Sequence, residues 1–226
     1  MMKVMRLLQF TDSAFPVGTF TFSNGLETAS FEKVVTDAKT LEAFTRSQSH
    51  QAAYSDGVAA LHAFRAFKAG SIEKCLEIDK YLYAFKMNDE ARQMATRMGK
   101  KLAELGVKLY SDEKIREWLD RINSNVTPGM YPVTQGIMFA LAGLSEVDLF
   151  CSHQYGVINM VLGAALRCVK VSHYDTQLIL EKLSEETMGL YEEARQMELK
   201  DMNAFYPVLD ILASLHEKGN MRMFMN

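Results

Sequence analysis

Five histidines, three cysteines and 28 carboxylates are the groups with which this 226-residue chain could hold a metal or move a proton. His50, His62, His153, His173 and His216 form neither the paired C-x-x-C of a structural zinc site nor H-E-x-x-H. His216 and Glu217 adjoin, but the run to Asn220 supplies no second histidine at helical spacing. A metal site would have to be assembled from distant residues, with His216 the first ligand to test. His153 is read as a buried polar residue hydrogen-bonded to a neighbour. Gly99-Lys100-Lys101 lacks the earlier glycine of a phosphate-cradling loop, and neither G-x-x-x-x-G-K-[ST] nor G-x-G-x-x-G occurs. No G-x-S-x-G elbow presents a nucleophilic serine. Cys75, Cys151 and Cys168 are odd in number and far apart, and read as small buried hydrophobes of a reducing compartment. Glu185-Glu186 and Glu192-Glu193 read as solvated helix faces. The expectation is a protein that is not an enzyme and carries no cofactor.

Charge narrows the partners. Lysine and arginine total 25 against the 28 acids, a formal net charge of -3 spread along the chain, which predicts no nucleic-acid surface. Arg92, Arg97, Lys100 and Lys101 are the densest basic group, but Asp89, Glu90 and Glu104 lie among them. That pattern is an amphipathic face suited to an acidic patch on a partner protein.

The elements that must position these residues are helices. Apolar residues recur three and four apart from about residue 37 onward, as in Leu61, Phe64 and Phe67, and period-two alternation is nearly absent. Asp37, Ser71, Asn88, Ser111, Ser145 and Ser172 stand where helix starts are expected, with capping-box spacing from Ser145 to Asp148 and from Ser172 to Asp175. Stops are expected at Gly70 and Gly106. Pro128, Gly129 and Pro132 interrupt the chain between Asn123 and Gly136, a candidate division between two sub-bundles. An amphipathic helix is expected from Ser172 to about Lys200, and another from Asn203 to Lys218.

Leu149 to Leu166 contains no Asp, Glu, Lys or Arg and reaches the length threshold of a membrane span. His153, Gln154 and Asn159 within it, and Asp148 and Arg167 beside it, favour a buried core helix. Gly156 and Gly163 on it are expected to admit a close helix neighbour. The N-terminal ten residues make a poor signal peptide. The predicted fold is all-α: one compact domain, residues 1–226, of nine to eleven helices around a buried central helix, cytoplasmic and with no membrane partner.

The segment D-S-A-F-P-V-G-T-F-T-F-S-N-G-L-E, Asp12 to Glu27, crowds Phe15, Phe20 and Phe22 among Pro16, Gly18 and Gly25. It reads as a shaped loop, with Ser23 or Asn24 capping a short helix near Leu26. With the preceding L-L-Q-F-T it resembles the N-terminal signature of the UreF family of urease accessory proteins. The resemblance continues in Glu90-Ala91-Arg92 to Gly99, in Pro132-Val133 with Gly136 and Gly143, in Ala164 to Arg167, and in the ending Pro207 to Asp210, His216-Glu217 and Arg222 to Phe224. Thr19, Phe22, Met130 and Asn226 depart from the family pattern.

This resemblance implies a non-enzymatic chaperone of urease maturation. It implies a homodimer that binds a UreD/UreH-type accessory protein and recruits a UreG-type GTPase to the urease apoprotein, where GTP hydrolysis is coupled to nickel insertion. The N-terminal arm (1–25) and C-terminal tail (219–226) are short apolar segments expected to order against partners. Phe20, Phe22, Arg222 and Phe224 are the expected contacts with the UreD-type protein, Arg92, Lys100 and neighbouring charges those with the GTPase, and Glu27 is a further expected partner-binding residue. The competing reading of the arm is that its phenylalanines pack under the first helix. Two other functions stay open at this point: a generic all-α adaptor unrelated to urease, and a metal-binding enzyme.

Overall fold

The computed structural model describes residues 2–18, 22–217 and 223–224. Among them are eleven α-helices and no strand: α1 (Met2–Thr11), α2 (Leu26–Phe31), α3 (Ala38–Ala52), α4 (Val58–Lys68), α5 (Ile72–Phe85), α6 (Asp89–Tyr110), α7 (Glu113–Asn123), α8 (Tyr131–Leu141), α9 (Glu146–Cys168), α10 (His173–Ala194) and α11 (Pro207–Glu217). A π-helical turn, Ala53–Gly57, joins α3 to α4 without a break, and a 3-10 turn, Leu199–Asp201, precedes α11. The fold is all-α and single-domain, as the periodicity predicts.

Most of the helix starts lie where side-chain oxygens can take the free N–H groups. Asp37, Ser145 and Ser172 form reciprocal capping boxes with Thr40, Asp148 and Asp175, while Ser71 and Asn88 accept from the backbone of Lys74 and Ala91. Ser111 corrects the expectation. It takes a left-handed φ of 50° and closes α6, and Asp112 caps α7 by accepting from the Lys114 N–H at 2.8 Å.

Gly70 does end α4, with φ +80°, but Gly106 stops nothing. It lies inside α6, where a Cβ would sit 2.4 Å from the Met138 sulfur, and at Gly99 a Cβ would stand 2.0 Å from the Gly129 carbonyl oxygen. These two glycines let α8 and the loop before it approach α6. Gly156 and Gly163, expected to do this on α9, have open space where their Cβ would be. The long amphipathic segment is also shorter than its pattern, since α10 ends at Ala194 and α11 begins only at Pro207.

Residues Pro132 to Phe139 of α8 are all buried, with α4 and α6 packed against them. Helix α9 is the other inner element. It touches α1, α2, α3, α4, α8 and α10, and although it is long and apolar enough to cross a membrane, 56% of its most apolar window is buried in the protein. Its first turns, Leu149 and Phe150, enter one hydrophobic cluster with α4 to α8. Its later turns, Ile158 to Ala165, enter a second with Leu26, Leu41, Ile179, Leu183 and Leu212. The proline loop lies inside the first cluster's territory and divides nothing: Ile115 and Ile122 before it pack with Met130 and Ile137 after it.

Candidate functional site

The loop from Asp12 is held by its own backbone, since the N–H groups of Ala14 and Phe15 bond Asp12 Oδ1 and O at 2.6 and 3.0 Å. Gly18 and Gly25 take φ values of +91° and +78°, which a side chain would strain. Phe15 stands edge-on to Phe10, 5.4 Å between centroids, and Phe10 lies 5.1 Å from Phe139. Phe22 is buried in the first cluster. Thr19 and Phe20 lie outside the described residues. Gly25 occupies the N-cap of α2, in place of the expected Ser23 or Asn24.

Glu27, in the first turn of α2, is where the two ends of the chain meet. Its carboxylate accepts the N–H groups of Met223 and Phe224 at 2.7 and 3.2 Å and faces His216 Nε2 at 3.0 Å. His216 Nδ1 faces Glu90 Oε2 of α6 at 2.9 Å, and the Glu90 N–H donates to Glu217 at 3.1 Å. Burial pushes the Glu27 carboxyl up, but the Met223 N–H, His216 and the Phe224 N–H together hold it below the usual carboxylate range. Phe224 is buried in the second cluster, with the Arg167 guanidinium 5.0 Å from its ring centre. Phe22, Glu90, Arg97, Glu217 and Phe224 line one surface recess.

The residues expected to meet partners therefore separate. Phe22, Glu27 and Phe224 come together, but each spends its contacts within the chain, while Arg222 lies outside the described residues. Arg92 sits elsewhere on α6, half-buried, donating to Asp89 Oδ1 at 2.8 Å and to the Lys86 carbonyl at 2.7 Å over the Tyr83 ring. Lys100 is exposed two turns further along. His216 and Glu90, at the centre of the clasp that joins α2, α6, α11 and the tail, carried no such assignment in the sequence; only their places in the family-like stretches Glu90 to Gly99 and His216-Glu217 pointed to them. Outward from the clasp, α11 exposes Val208, Ile211 and Leu215 on a face next to the one that buries Leu209, Leu212 and His216.

Metal ligation finds little support in this arrangement. Both nitrogens of His216 are engaged by carboxylates on opposite sides of the ring, and among the described residues no group of three or more His, Cys, Asp or Glu side chains could hold a metal ion. His153 faces Gln135 Oε1 through Nδ1 at 2.9 Å, and burial pushes its imidazole below the usual histidine range. It borders a cavity of about 120 Å³ lined also by Gln48, Asp56, Lys86, Ser152 and Asp210. His153 Nε2 and Ser152 Oγ have no partner among the described residues, and the cavity has room for a water beside them. Of the cysteines, Cys75 is fully buried, its thiol pushed up to about 12 by that burial, whereas Cys151 and Cys168 are half-buried.

Comparison with known proteins gives a consistent result. Residues 35–184 match the family model described as UreF. The chain is 45% identical over 223 residues to urease accessory protein UreF 2 of Brucella canis, covering 99% of this chain and 92% of that protein. It is 40% identical over 223 residues to urease accessory protein UreF of Yersinia enterocolitica, covering 99% and 98%. With the protein of the same name from Photorhabdus laumondii it shares 39% identity over 225 residues, covering 100% and 99%.

Proposed function

The chain belongs to the UreF family of urease accessory proteins, and from that premise we propose that it serves, without catalysis of its own, as a cytoplasmic scaffold of urease maturation. As a homodimer it joins a UreD/UreH-type protein and brings a UreG-type GTPase to the urease apoprotein. Nickel is the cargo of that assembly. Neither nucleic acid nor membrane takes part.

The observation that carries this reading is the apolar stripe on the outside of α11. Val208, Ile211 and Leu215 are 57%, 58% and 47% exposed at three- and four-residue spacing, on the helix whose inner face holds the clasp, and Met223 of the tail is 59% exposed. A helix that is apolar on both faces is suited to be covered on both. Phe22 and Phe224, buried in the chain, shape and stiffen this docking face, and the exposed apolar side chains reach the UreD-type partner, with Phe20 and Arg222 completing the contact. Lys100, with Arg92 braced against Asp89 on the same helix, faces the GTPase.

Deleting Met221 to Asn226 is expected to abolish capture of the UreD-type protein in a pull-down while leaving helical circular dichroism intact. Retained capture by the truncated chain would remove the tail from the docking face. Purified chain is also expected to show no stoichiometric metal by elemental analysis; bound metal that disappears in His216→Ala would overturn the scaffold reading in favour of a metal site.

A further inference from the structure

The contacts of His216 carry a requirement of their own. Both ring nitrogens stand against carboxylate oxygens, Nδ1 2.9 Å from Glu90 Oε2 and Nε2 3.0 Å from Glu27 Oε2. A neutral imidazole has one N–H and one lone pair, whereas the imidazolium has two N–H donors. A lone pair aimed at a carboxylate oxygen is repelled by it. We propose that His216 is a proton-dependent positioning residue: as the imidazolium it bridges Glu27 to Glu90 and so holds the C-terminal tail on the body, and loss of its second proton to solvent opens this clasp.

The consequence reaches the tail through Glu27. The same carboxylate that meets His216 accepts the N–H groups of Met223 and Phe224, so its placement decides whether those two residues are held. Once neutral, the ring can donate to only one of the two carboxylates, and the other faces a lone pair. The imidazole is only 2% exposed, with Glu90 and Glu27 at 10% and 19%, so water does little to relieve that repulsion.

Acidic and basic groups from four helices surround the ring. Glu27 on α2, Glu90 and Asp89 on α6 and Glu217 on α11 are acidic. Arg97 of α6 lines the same recess, and Arg167 of α9 lies over the Phe224 ring. The Cys168 thiol of α9 also feels the charge of Glu27. Asp89 is itself paired with Arg92 at 2.8 Å, so the carboxylates that meet the ring directly are Glu27 and Glu90.

This inference rests on the docking role of the tail only for its effect on partners; whether the tail is held is a property of the chain alone. It is tested by hydrogen–deuterium exchange of the C-terminal peptide in the full-length chain without partner, corrected for the intrinsic rate at each pH. Wild-type protection at residues 223 and 224 is expected to fall about tenfold from about pH 6 to about pH 9, with far-UV circular dichroism unchanged. In Glu90→Gln the amide can donate to Nδ1 of a neutral ring while Nε2–H still donates to Glu27, so protection is expected to persist at both pH values. In Glu27→Ala it is expected to be absent at both. Protection independent of pH in the wild type would overturn the proposal, and so would a Glu90→Gln profile that follows the wild type. Should Glu90→Gln fail to fold, the wild-type profile decides alone. A pull-down that keeps the UreD-type protein after tail deletion would count against the docking role and leave the clasp standing.

Discussion

Asp79 shows how much a single buried charge can organise. Its carboxylate, with no exposed surface, accepts from the Thr127 hydroxyl at 2.6 Å and from the N–H groups of Gly129 and Met130, both at 2.7 Å, and so fastens the proline loop to α5. Asp79→Ala would leave three buried donors unmatched, and is expected to cost about 3 kcal/mol in denaturant unfolding. Burial pushes this carboxyl up to about 6, against the pull of Thr127, Gly129 and Met130 and above its ordinary 3.8. The native state therefore binds the proton more tightly than the unfolded state, so the group's contribution to stability falls as pH rises from about 4 to about 6, by on the order of 3 kcal/mol. Asp79→Asn removes that term, and the difference between wild-type and variant stabilities across this window measures it. Nothing in the spacing around Asp79 marks it, because its partners come from a loop some fifty residues later. The pairing of Glu90 with His216 was hard to read for the same reason: their 2.9 Å contact exists only once α6 and α11 are packed together.

At the scale of elements, caps are written locally and packing is not. Ser145 and Asp148 satisfy each other's backbone within three residues, so the start of α9 could be recognised in advance. Ser145→Ala is expected to lower stability by about 1 kcal/mol, read from the denaturation midpoint. Glycine is ambiguous in one dimension, since the same residue type ends α4 at Gly70 and admits a neighbour at Gly99 and Gly106. The two packing glycines should respond differently to a methyl group. At Gly99 the obstacle is the backbone carbonyl of Gly129, which cannot swing aside, and Gly99→Ala is expected to cost about 1–3 kcal/mol. At Gly106 the nearest atom is the sulfur of the flexible Met138 side chain, with Ile115 Cγ1 next at 3.0 Å and no backbone in the way, and Gly106→Ala is expected to cost less. Equal losses in thermal unfolding would contradict that distinction.

At the scale of the whole molecule, α9 runs through both hydrophobic clusters, so neither can dissolve without disturbing the other. Phe150→Ala in the first cluster and Leu162→Ala in the second are each expected to cost about 2–5 kcal/mol and to shift one common transition, seen alike by circular dichroism and by Trp118 fluorescence. Two separated transitions would mean that α9 does not couple them. The all-α class, the starts of α3, α5, α6, α9 and α10, and the family were legible in the order of residues, because periodicity, caps and an unbroken motif are local properties of the chain. The fate of the aromatic arm and tail was not. Phe22 and Phe224, expected in a linear reading to meet partners, are buried within the chain, Phe224 in the cluster shared by α2, α9 and α11 and next to Glu27, which holds a histidine and two backbone N–H groups. Local free energies act between neighbours and can be read from neighbours; burial and the pairing of charges depend on which distant segments share a volume, and only the folded chain decides that.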